Sequence, residues 1–328
     1  MKIFWGESMN QSIMRDFENL CHICRQTKDA LILNVALSQC MKFKDAFPGE
    51  KILDQYIKFI NYMACFSNLS PFEAGKKNDE DFKKFFVKQK KELIDAIPPF
   101  EAYKDISINY SVLDFDFLNW LKKEFTMSLG PRFYEFCRDY EENGRISIRR
   151  PGCKEIIHTY NPGRAAGVMI PLHPYDYQSV IYINKFNDIN DLMNLMHELG
   201  HAYFHYVNRC GFMDYISAKD NIKTEIPSKM MEQLFIRFLY QNGFNQYANA
   251  LSIQFSKSAR CSQIDSDMCN FYKYCFGSFI SQIFINDIGT NYTLEEFLHY
   301  IHFANYQELL QICKANNPKK GKTKRKFF

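Results

Sequence analysis

Residues 191–207 read DLMNLMHELGHAYFHYV, and the reading of the whole chain turns on this stretch. Helical periodicity resumes near Asn187 and runs almost to Asn316, so the HELGH at 197–201 is expected on a helix. There, residues four apart lie one above the other, and the imidazoles of His197 and His201 project from one face where they can share a tetrahedral zinc ion. Glu198 is one residue further round the helix, about 100° away, close enough to work on water at the open zinc position without ligating the ion. Gly200 adds a second hint. A glycine inside a helix costs about 1 kcal/mol relative to alanine, so it marks close packing or a functional approach.

Catalytic zinc takes three protein ligands and leaves a position open, and two His with one Glu is a recognised set. Glu225 is the expected third ligand. It stands 24 residues after His201 in TEIPSKMMEQLFIRFL, where Pro227 suits a first helical turn because the N–H groups there have no intrahelical partner. Glu232, two turns further along the same face, is expected to orient a ligand imidazole.

Working outward, apolar positions three and four apart fill 29–43 and 81–97, so residues 1–129 read as a helical N-terminal lobe, with Pro98-Pro99 ending one of its helices. Between Gly130 and Phe186 the pattern changes to the short β-rich pieces ISIRRPG, EIIHTYNPG, GVMIPLHP and SVIYINKF, separated by Gly and Pro. The predicted architecture is mainly α (α+β): the helical lobe, then a small sheet and a second helical lobe over 130–316, then a basic tail over 317–328. No internal repeat stands out.

Composition narrows the function classes. The chain has 328 residues, 46% hydrophobic and 24% charged, which excludes global disorder. The N-terminus MKIFWGESMNQS has neither the apolar run nor the cleavage site of a secretory signal, and no stretch is long enough to span a bilayer, so an intracellular protein is expected. Eleven scattered cysteines, an odd count, read as reduced thiols. The net charge of +4 reflects Lys319, Lys320, Lys322, Lys324, Arg325 and Lys326. Without those six the body carries about −2, and nucleic-acid binding is not expected beyond contacts of the tail. Cys21-His22-Ile23-Cys24 lacks the second pair a structural zinc site needs. His205, one turn past His201, would close the open position as a fourth ligand and is expected to pack on its helix.

With these motifs in place, residues 139–280 resemble the thimet oligopeptidase and oligopeptidase F family of zinc metallopeptidases, in a shortened form. The resemblance rests on GRAAGVM (163–169), HELGH (197–201), the E-x-P-S-x-x-x-E run from Glu225 to Glu232, and FYKYCFG (271–277), in that order. It implies a mostly helical fold whose 130–316 lobe is zincin-like with a deep cleft, one zinc ion, Glu225 as third ligand, and peptide or unfolded-protein substrates. It also implies a substrate strand pairing with the sheet edge near Gly167 and Val168. Tyr272 and Tyr274 occupy positions where the family has tyrosines facing the metal, Tyr274 matching the oxyanion donor better. Family members are longer, so part of the helical wall around their cleft is expected to be missing. Where the family has a His or Tyr before the aromatic run, this chain has Asp265-Ser266-Asp267. The expected chemistry is peptide hydrolysis with Glu198 as general base. A protease dedicated to one target protein, and an inactive zinc-containing peptide-binding protein, are the competing expectations.

Overall fold

A computed structural model of the protein describes residues 11–27, 29–46, 51–67, 70–97, 110–148, 167–173, 175–183, 185–258 and 269–317. The EIIHTYNPG piece, Pro98-Pro99, the Asp265–Asp267 segment and residues 318–328 of the basic tail lie outside them. Among the described residues six helices come first: α1 Gln11–Gln26, α2 Ala30–Ala46, α3 Lys51–Ala64, α4 Pro71–Ala96, α5 Phe115–Ser128 and α6 Pro131–Glu142. Three short strands follow among the described residues, β1 Ile146–Ile148, β2 Gly167–Pro171 and β3 Ser179–Ile183. The chain then returns to helix in α7 Ile189–Asn208, α8 Ala218–Asn221, α9 Glu225–Gln241, α10 Asn245–Ser258, α11 Cys269–Phe284, α12 Leu294–Phe303 and α13 Tyr306–Asn316. The fold is mainly α with a small sheet.

Local chemistry accounts for the helix ends that matter here. α4 begins ten residues before the periodic stretch that predicts it, because Ser70 and Glu73 form a reciprocal capping box with Pro71 in the first turn. α7 starts where the Asp188 side chain accepts from Asp191 N, satisfying one of the orphan donors of the first turn. It ends at Arg209, whose left-handed backbone (φ 52°) lets its N–H cap the last turn.

The sheet order is β1-β3-β2, with β1 parallel and β2 antiparallel to β3. β3 is buried at all five positions, as expected of a central strand covered on both faces. Side chains alternate across the sheet, and the alternation separates two cores. Val168, Ile170, Leu172, Val180 and Tyr182 join α1, α2 and α3 in a smaller cluster, where Tyr182 meets Phe43 edge to face. Met169, Ile146, Ile181 and Ile183 face the larger cluster with α7 and α9. That larger core draws on both sides of residue 129: Phe86 and Leu93 of α4 and Leu118 and Phe125 of α5 share it with Leu199, Phe235 and Phe276. Each fully buried side chain of this size contributes about 1.5–3 kcal/mol, so α4 and α5 help to hold α7 and α9 in place.

Candidate metal centre

The site forms where α7 crosses α9. A Cβ placed on Gly200 would sit 2.7 Å from Ser228 Cα and 2.9 Å from Pro227 O, so the helix backbones meet at a distance only glycine permits. On the other side of α9, a Cβ on Gly277 of α11 would sit 2.7 Å from Glu225 O. Two glycines therefore clamp the first turn of α9 between α7 and α11. The turn entering α9 is tied down by buried Lys223, whose ammonium donates to the carbonyls of His302 and Ala304 at 3.1 and 2.9 Å; ammonium groups are favoured at such helix C-terminal carbonyls.

This packing brings together the three residues expected to hold a metal. His197 Nε2 and His201 Nε2 are 3.2 Å apart, and Glu225 Oε2 lies 3.5 Å from each. A tetrahedral ion with bonds of about 2.0–2.1 Å sets its ligand atoms about 3.3–3.4 Å apart. The triangle thus has the size of one face of such a coordination sphere, and it is a group that could hold a metal ion. Both imidazoles have an outer partner. His197 Nδ1–H donates to Glu232 Oε1 at 2.6 Å, which turns Nε2 toward the triangle, and the Thr224 backbone hydrogen-bonds the His201 ring. Outer partners of this kind fix the tautomer and orientation of ligand imidazoles.

The charges are coupled. Burial works to raise the Glu225 carboxyl, but the two imidazoles and Lys229 outweigh it and hold the group well below the usual carboxylate range. His201 shows the mirror effect: burial lowers it, and Glu225, Glu198 and the Thr224 backbone raise it on balance. For Glu232 the burial penalty is overcome by Lys229 and His197, leaving it lowered.

Glu198 projects toward the sheet, where one carboxylate oxygen accepts Met169 N–H at 2.7 Å. Gly167 packs beside it, since a Cβ there would lie 3.3 Å from Glu198 Cγ. Val168 turns its side chain into the smaller core, away from the metal triangle. The two tyrosines separate. Tyr274 has its ring 6.2 Å from that of His197, and Glu225, burial, Glu198 and Glu232 push its phenol far above its ordinary value, so it stays protonated. Tyr272, expected to face the metal as well, is instead 6% exposed and stacks on Phe86 of α4. Residues two positions apart on a helix point about 200° apart, so the pair cannot face one site. His205 Nδ1–H donates to Cys210 O at 3.2 Å, and the ring is buried one turn beyond the triangle. Cys21 and Cys24 are buried thiols in the smaller core.

Lys229 went unread in the sequence. It is 3% exposed, donates to both Glu232 oxygens at 2.8 and 3.1 Å, and holds its ammonium 5.0 Å from the Tyr274 ring centre. A signal for it existed: Glu225, Lys229 and Glu232 are spaced four and three apart, so they share a helix face. Gly277 and Met169 were missed for a different reason, because their roles arise from contacts between distant segments.

No family model matches the chain, and no curated protein matches it. Among solved structures it is similar to a Bacillus anthracis protein provisionally named oligoendopeptidase F, at 14% identity and a TM-score of 0.47, over 95% of this chain and 73% of that one. A second structure bearing the same provisional name gives 12% identity and a TM-score of 0.47, over 96% and 74% of the two chains. Likeness this distant assigns no activity, so the chemistry of the site has to. Among the described residues, no helix is long and apolar enough to cross a membrane.

Proposed function

We propose that this protein is a zinc-dependent peptidase that hydrolyses peptides, with His197, His201 and Glu225 holding the metal and Glu198 acting as general base. The observation that carries the reading is the triangle of two imidazole nitrogens and one carboxylate oxygen with edges of 3.2, 3.5 and 3.5 Å, placed beside a glutamate that is not part of it. A purely structural zinc site is closed by four protein ligands and needs no neighbouring base.

Zinc bound there would polarise the scissile carbonyl and acidify the attacking water. The chain's own groups do the rest. Glu198, next in sequence to His197, takes the proton from the attacking water and passes it to the leaving amine. Glu232 keeps His197 in the tautomer whose Nε2 lone pair faces the triangle, and Lys229 keeps Glu232 charged. Tyr274, neutral and beside His197, donates a phenolic hydrogen bond to the developing oxyanion. The edge of β2 near Gly167 and Val168 borders the base and receives an extended substrate.

The role of Glu198 is tested by Glu198→Gln. The variant should retain its zinc and lose turnover of a mixed-peptide substrate. Loss of zinc would mean that Glu198 is a ligand and the roles are misassigned.

A further inference from the structure

β2 touches Glu198 at two points. Met169 N–H donates to Glu198 Oε2 at 2.7 Å. Two residues earlier, Gly167 lies so close that a Cβ would stand 3.3 Å from Glu198 Cγ and 2.7 Å from Ile183 Cδ1. Both contacts come from residues of one parity along the strand. In an antiparallel pair the backbone groups of alternate residues face the partner strand and those between them face away. Leu172 N–H donates to Gln178 O across the turn to β3, so Val168 and Ile170, of the same parity, face β3, while Gly167 and Met169 face outward. Pro171 shares their parity and has no N–H to offer.

We infer that β2 is a base-positioning strand: the outward N–H of Met169 anchors one oxygen of Glu198, and the bare Cα of Gly167 leaves room for the Glu198 side chain to lie against the strand. The anchored oxygen fixes the carboxylate plane, so the second oxygen is left to handle the proton. Its catalytic consequence rests on the peptidase reading above; the anchoring itself does not. One N–H cannot serve the base and a substrate carbonyl at once, so Met169 N–H is reserved for Glu198, and an extended substrate on this edge finds outward carbonyls as its acceptors.

Residue-resolved amide hydrogen exchange on the full chain tests the anchor without requiring activity. In Glu198→Ala the Met169 amide should exchange about tenfold to a hundredfold faster, the range expected for losing a hydrogen bond to a charged acceptor. The Val168 and Ile170 amides, paired with β3, should be unaffected. Glu198→Gln keeps a carbonyl oxygen and should restore most of the protection. An unchanged Met169 amide in Glu198→Ala overturns the proposal, and so does equal acceleration of all three amides, which would mean that the strand had loosened. Met169→Pro removes the N–H at an outward position that tolerates proline. It should lower kcat with little change in KM; a raised KM at constant kcat would assign the N–H to the substrate and overturn the proposal as well. If Met169→Pro does not fold, the exchange result decides alone.

Discussion

Gly200→Ala adds a single methyl group at the crossing of α7 and α9, and its effect follows from two opposing magnitudes. Replacing a helical glycine by alanine gains about 1 kcal/mol of helix propensity. The new Cβ, however, would stand 2.7 Å from Ser228 Cα, 2.9 Å from Met231 Cγ and 2.9 Å from Pro227 O. The methionine can swing aside; the other two atoms belong to the backbone or are bonded to it. Restoring ordinary contact at 3.4 Å requires α9 to move by about 0.7 Å, and overpacking of this kind costs about 1–3 kcal/mol. The net expectation is a loss of about 1 kcal/mol. The larger consequence is at the metal, since Glu225 opens the helix that must move and its Oε2 stands 3.5 Å from both imidazole nitrogens. We expect zinc affinity to fall at least tenfold, comparable with the loss of an outer partner. Urea unfolding of the metal-depleted chain gives the first quantity and zinc titration against a chromophoric chelator the second. A variant that is more stable by the full propensity gain and binds zinc as tightly as wild type would refute the close crossing.

Tyr274→Phe should keep fold and zinc while kcat falls about 10²–10³-fold with KM little changed, as for an interaction made only in the transition state. Tyr272→Phe, on the far face of α11, should turn over normally, and the reverse result in steady-state kinetics would exchange their roles. His205 makes a pH prediction. Burial, with His201 nearby, lowers its pKa from 6.5 to about 4, so the unfolded chain takes up a proton at higher pH than the folded one. Stability from this residue is therefore intact above about pH 6.5 and lost as pH falls toward 4, by roughly 3 kcal/mol for a shift of this size. His205→Gln should flatten the acid limb of a stability-against-pH curve in that window, and an unchanged slope would refute the buried neutral assignment.

How much of this was legible in the sequence depends on how local the cause is. His197 and His201 share a face because of helical spacing alone, and α9 starts at Glu225 with Pro227 in its first turn, as the placement of that proline implies. Gly200 was legible as a site of close approach, though not what approaches it. The two tyrosines were separable in principle, since residues two apart on a helix point apart, but only the partner Phe86, far away in sequence, shows which of them is core. The sheet was legible as short strands and not as an order, because β1-β3-β2 is set by which strands bury Ile181 and Tyr182 on opposite faces. The same alternation puts Val168 in the smaller core and gives Glu198 to Met169, a backbone contact that no residue type announces.

If Glu225 completes a zinc site with His197 and His201 while Glu232 stands behind it, removing the two glutamates has unequal effects on zinc. Metal analysis of wild type, Glu225→Ala and Glu232→Ala, dialysed side by side against a zinc buffer set near the wild-type affinity, tests it most directly. Wild type should carry about one zinc per chain when the buffer is saturating. Glu232→Ala should bind about 10–100-fold more weakly, and Glu225→Ala, with a ligand removed, should be weaker still and empty where Glu232→Ala remains partly loaded. Equal zinc in the two variants, or none in the wild type at saturating zinc, would contradict the account.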